Sequence, residues 1–225
     1  MKAIYLVSAL LCAGIASTCL AEEGSSPDWP DSDINRLVAL TLVQEINIEI
    51  LSSRSATRSL EQWCSRYKLA DAPVIVAKRI ASAEKSATPD QRQQLQVQND
   101  EPIRYRRVQL LCGSHVLSEA DNWYVPSRLT PEMNRLQETT DTPFGKVIQP
   151  LQPYRLTQSV QRFWPLTENW IGQKRHDKDN RHAKHLEMPQ VLFEHQVLLY
   201  DKTHQPISLV DEYYQRELLA FPLPR

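Results

Sequence analysis

The sequence predicts an α+β protein: a mostly antiparallel sheet with helices packed on one face. Three observations carry that expectation. Helical periodicity governs the first part of the chain, with apolar residues recurring every three or four positions between residues 33 and 70. From residue 73 onward, runs rich in β-branched and aromatic residues take over, bounded by turn formers. The later runs also come in pairs joined by short polar turns, and strands joined in this way pair antiparallel.

The first element is "DINRLVALTLVQEINIEILSS", one amphipathic helix with Asp33 as its expected N-cap. Residues 53 to 57 interrupt the period, and "SLEQWCSRYKLA" resumes it with Leu60, Trp63, Cys64 and Tyr67 on one side. "APVIVAKRI" reads as the first strand. Residues 83 to 101, rich in Gln, Ser, Asp and Lys, read as a polar connection without a core face. Residues 103 to 127 form a hairpin about the turn at Gly113 and Ser114. "LTPEMNRLQE" is a helix start with Thr130 as N-cap and Pro131 at the first helical position. Pro143 and Gly145 mark the next turn, and "YRLTQSVQRFW" fits a strand or a helix. Residues 165 to 190 are a charged insertion. "VLFEHQVLLYDKTHQPISLVDEYY" closes the chain as a hairpin turning around residues 201 to 205.

Composition narrows the function classes. The 225 residues carry a net charge of -1, which disfavours nucleic acid or another polyanion as partner. Only 5 glycines against 15 prolines exclude glycine-rich phosphate cradles. Residues 1–21 have the order of a secretory signal peptide: Lys2, an apolar stretch too short to span a bilayer, and a small-residue end. The expected organisation is therefore a signal peptide at 1–21, a polar lead with the first helix at 22–56, and one domain at 57–225. Export would make the protein periplasmic or secreted and would leave Cys64 and Cys112 as its cysteines, either paired or as two buried thiols.

The strand "RYRRVQLLC" opens with three arginines. Alternation puts Arg107 on the face of Tyr105 and Gln109, and Arg104 and Arg106 on that of Val108 and Leu110. A guanidinium turned inward needs an anion, either an internal carboxylate or a ligand.

"RVQLLCG", "WYVPSRL", "TTDTPFGK" and "QPISLVDEYY", in this order and spacing, resemble the chorismate pyruvate-lyase family. The resemblance spans roughly residues 57 to 216. It implies a fold like that of the UTRA ligand-binding domains, with a small ligand enclosed under flaps. It also implies removal of pyruvate from chorismate to leave 4-hydroxybenzoate, with no metal or organic cofactor. By position, Arg107 would hold a substrate carboxylate, and Phe144 and Gly145 would wall the pocket. The catalytic carboxyl falls on Asp211 by ungapped counting and on Glu212 by the acidic-aromatic pattern, which is preferred. The partner would be a small carboxylate-bearing molecule, chorismate or hydroxybenzoate-like. Two departures stand out: "LFEHQVLL", with Glu194, His195 and Gln196, replaces the family's basic strand, and the insertion at 165 to 190 is long. The alternative within the same fold is a non-catalytic periplasmic protein that binds a small aromatic or carboxylate ligand.

Other constellations have simpler readings. His176, His182 and His185 sit among lysines and arginines that repel a metal cation. No Gly-x-Ser-x-Gly elbow accompanies the serines. Phe163, Trp164 and Trp170 read as packing or loop anchors, and the first helix as a cover for the sheet rather than a dimer arm.

Overall fold

A computed structural model describes residues 29–80, 84–98, 100–164 and 185–223. The expected signal peptide, His176, His182 and Trp170 lie outside the described residues.

Helix α1 spans Asp33–Ser52 and α2 spans Ala56–Arg66. The cap of α1 is Ser32 rather than Asp33. The serine oxygen accepts from the Asn35 amide, while Asp33 sits in the first turn, where its charge favours the helix N-terminus. A second serine cap, Ser55, starts α2. Strand β1 follows at Ile75–Arg79.

The polar connection holds a structure that composition concealed. Thr88 and Gln91 form a reciprocal capping box for the short helix α3, Pro89–Gln94. The chain then drops Leu95, fully buried, among Trp123, Val125, Leu198 and Leu209. Two apolar residues, Leu95 and Val97, in a run of glutamines are no periodic signal, and their role is visible only once the sheet is assembled.

Strands β2, Arg104–Cys112, and β3, His115–Tyr124, form the expected hairpin. Gly113 turns it at φ +58°, and a Cβ there would lie 2.8 Å from the Ala70 Cβ, so both conformation and space call for glycine. Helix α4, Pro131–Thr139, has Thr130 as cap and Pro131 at its start, as expected. The turn at Pro143 becomes a single-turn helix α5, Phe144–Val147. Strands β4, Tyr154–Arg162, β5, Val191–Tyr200, and β6, Pro206–Gln215, complete the set, so "YRLTQSVQRFW" is an edge strand.

The strands make one antiparallel sheet in the order β1-β2-β3-β6-β5-β4, with α1, α2, α4 and α5 on one face. The main core lies between that face and α1 and α2. In it Trp63, fully buried, donates its indole N–H to the Leu218 carbonyl at 2.8 Å. Trp29 is anchored in the same way by the Phe221 carbonyl at 2.7 Å. These indole bonds satisfy donors that burial would otherwise strand. Cys64 of α2 and Cys112 of β2 form a disulfide, their Cα atoms 6.4 Å apart, which ties the helical layer to the sheet. No helix among the described residues is long and apolar enough to cross a membrane.

Candidate functional site

A cavity of about 440 Å³ lies between the sheet and the helical layer. That volume is in the range of small-molecule sites. Its floor is built by strand alternation: Val108 and Leu110 from β2, Ala120 and Asn122 from β3, and Val210 and Glu212 from β6 project to the same side. Its roof is the turn into α2 together with Phe144 and Gly145 of α5. Gly145 is closely approached, since a Cβ there would lie 3.2 Å from the Thr57 hydroxyl across the roof and would push it back by a few tenths of an ångström.

The polar end of the cavity is an ion pair. Arg155 of β4 donates to Glu212 through both terminal nitrogens, at 2.7 and 3.4 Å, and the Tyr214 hydroxyl donates to the same carboxylate at 2.7 Å. The side chains are 4% and 14% exposed, so the pair is largely out of water. Burial opposes the Arg155 charge, but Glu212 and Tyr214 together outweigh it and raise the guanidinium's pKa above its ordinary value. Burial pushes the Tyr214 phenol well above its usual range, so it stays a donor. Arg54 and Arg58 also line the cavity; both are exposed and form no ion pair among the described residues. The first residues of α2, Ala56 and Thr57, also line the wall, and the amino end of a helix adds positive potential there.

Behind Glu212 sits its cross-strand neighbour His195, fully buried. Its Nε2 is 2.7 Å from the Asn47 side-chain oxygen on α1, and its ring packs against Phe193 and Tyr214. Burial, reinforced by Arg155 against the opposing Glu212, lowers its pKa from 6.5 to about 4. Below pH 6.5 the unfolded chain binds a proton that the folded chain refuses until about pH 4, so stability is retained above 6.5 and lost as pH falls through this window. The loss amounts to at most about 3 kcal/mol. Chemical denaturation at pH 7 and at pH 4.5 is expected to show it. The pH dependence should shrink in His195→Gln; an equal slope in both proteins would contradict a neutral His195.

The sequence-nominated residues divide between the two faces of the sheet. Glu212, Phe144 and Gly145 meet in the cavity. Arg107 and Asp211 lie on the opposite face, where Arg107, Asp121, Asp211 and Gln196 stand in register across β2, β3, β6 and β5. There Arg107 pairs with Glu119 at 2.9 Å and with Asp121 at 3.6 Å, and the hydrogen bond to Glu119 raises its pKa. Lys85 completes the charge balance at 2.6 Å from Asp121. Gln196 donates to Asp211 at 3.1 Å, and burial raises that carboxyl's pKa. No carboxyl at 211 or 212 therefore shares a cavity with Arg107. The arginine that meets Glu212 is Arg155, which sequence reasoning missed because its segment had no settled period. Arg54 was missed as part of the interruption at residues 53 to 57, and Arg58, the residue after it, as an ordinary polar position at the start of α2. A strand assignment for residues 154 to 162 would have exposed Arg155 as a candidate.

Among the described residues no group of three or more His, Cys, Asp or Glu side chains forms a metal-binding cluster. Comparison with known proteins gives no matching family model. In solved structures, the chain is similar to PhnF from Mycobacterium smegmatis, at 14% identity and a TM-score of 0.48, covering 90% of this chain and 94% of that one. It is also similar to the C-terminal domain of the histidine utilization repressor from Pseudomonas syringae, at 10% identity and a TM-score of 0.41, covering 67% and 96%. A far stronger likeness in sequence is to "Uncharacterized protein y4mC" of Sinorhizobium fredii, 39% identical over 224 residues. That alignment covers 97% of this chain and 94% of the other, and the chain belongs to the y4mC family.

Proposed function

We propose that the protein is an exported binding protein whose cavity takes a small anionic ligand, a carboxylate of the hydroxybenzoate or chorismate type. The observation that carries this reading is the charge of the lining: Arg54, Arg58 and Arg155 against the single carboxylate Glu212. Because Arg155 and Glu212 neutralise each other, Arg54 and Arg58 remain for a ligand's carboxylate, and the apolar floor suits a ring. The disulfide fits an oxidising compartment, in line with the leader-like residues 1–21.

Cleavage of chorismate is the second reading, and the meeting of Glu212, Phe144 and Gly145 in one cavity favours it. Glu212 there would act together with Arg155, not Arg107, in orienting an enolpyruvyl group.

One experiment separates the two. The purified protein is titrated with 4-hydroxybenzoate and with chorismate while pyruvate release is followed. Saturable binding without pyruvate, weakened about tenfold in Arg54→Ala, supports the binding reading. Pyruvate release abolished in Glu212→Gln supports the lyase. Neither binding nor release by the folded protein overturns both.

A further inference from the structure

A second cavity, of about 590 Å³, opens beside the first half of β2, where Arg79, Arg104, Arg106, Tyr124 and Glu138 contribute to its lining. We propose that it is a binding site for a small oxyanion of the phosphate type, held by Arg106 and Arg79. This goes beyond the ligand reading of the first cavity and does not depend on it.

Three buried donors beside this cavity are unmet. Arg106 is 6% exposed and Gln137, from α4, is fully buried. Arg106 donates one hydrogen bond, to the Gln137 side-chain oxygen. Its Nε and second terminal nitrogen have no partner, and neither does the Gln137 amide nitrogen. All three unmet groups are donors. A buried cluster of donors alone is complemented by a group that only accepts, which is the character of an oxyanion.

Charge points the same way. Of the basic residues around this cavity, Arg104 pairs with Glu138, and Lys85 and Arg107 pair with Asp121 and Glu119. Arg79 and Arg106 have no carboxylate within ion-pair distance among the described residues. Arg79 reaches two backbone carbonyls of α4, those of Gln137 at 2.6 Å and Glu138 at 3.5 Å, and its charge bears directly on Arg106. Burial and the Arg79 charge both disfavour the Arg106 cation, Tyr124 and Asp141 favour it, and neither guanidinium has an ion-pair partner among the described residues. Bidentate donation from arginine suits a tetrahedral dianion. The guanidinium of Arg106, tethered through one nitrogen only, has donors free to turn onto it.

The two cavities are neighbours, since Arg106 pairs across the hairpin with Asn122, which lines the first. The test must therefore tell them apart. Inorganic phosphate is titrated calorimetrically into the purified protein at pH 7.5, against chloride at matched ionic strength. One binding site is expected, with affinity lowered at least about tenfold in Arg106→Gln and in Arg79→Gln. Arg54→Gln, in the first cavity, should stay within about twofold of the parent. Because Arg79 is exposed, its variant keeps the test valid if Arg106→Gln fails to fold. Absence of phosphate binding, binding retained in Arg79→Gln, or binding lost in Arg54→Gln would each overturn the proposal.

Discussion

Replacing Arg155 with methionine is expected to destabilise the protein by about 3–5 kcal/mol, because it leaves the Glu212 carboxylate buried without its cation. The Tyr214 hydroxyl remains as a donor, but one neutral hydrogen bond does not replace a two-pronged charged one. The double variant Arg155→Met with Glu212→Leu removes both charges and fills the space with apolar atoms. It should recover most of the loss, since a buried pair of opposite charges is often worth little more than well-packed hydrophobic side chains. Urea denaturation of the parent, the single and the double variants checks this. A single-variant cost under about 1 kcal/mol would mean that water entering the cavity solvates Glu212 freely. The same comparison bears on function, because a carboxylate held this firmly is suited to orienting a ligand more than to taking a proton from one.

Reduction of the disulfide is expected to cost about 4 kcal/mol. The bond closes a loop across 48 positions, and the chain-entropy model gives that magnitude for a loop of this length. It also joins two fully buried positions, so the reduced protein keeps its core packing and loses mainly the constraint on its unfolded chain. Denaturation midpoints with and without dithiothreitol should differ in the parent and coincide in Cys64→Ala with Cys112→Ala. Coinciding midpoints in the parent would show that no bond forms.

Much of the architecture was legible because its signals are local. The threonine cap Thr130, Pro131 at the start of α4, and Gly113 in the hairpin turn each act within a few residues. The helix α3 carries a local start signal in Thr88, Pro89 and Gln91 that the polar composition masked, whereas the buried Leu95 after it was not legible, because its apolar partners come from β3, β5 and β6. Strand β4 was ambiguous for a related reason. It is an edge strand with mostly exposed side chains, so no buried face imposed alternation on its sequence. The arginine of the cavity lay hidden in that ambiguity.

The sequence by itself determined which side chains must part company: alternation along β2 sends Arg106 and Arg107 to opposite faces, and alternation along β6 does the same to Asp211 and Glu212. It also determined the hairpins and the α+β class. Only the tertiary structure decided which face became a cavity. The helical layer covers the side of Glu212, leaving Arg107 on the other to pair with Glu119 and Asp121 beside Lys85, and Asp211 to accept a hydrogen bond from Gln196. The physical reason is that alternation is a property of one strand, whereas burial depends on α1, α2, α4 and α5, which meet the sheet from distant parts of the chain.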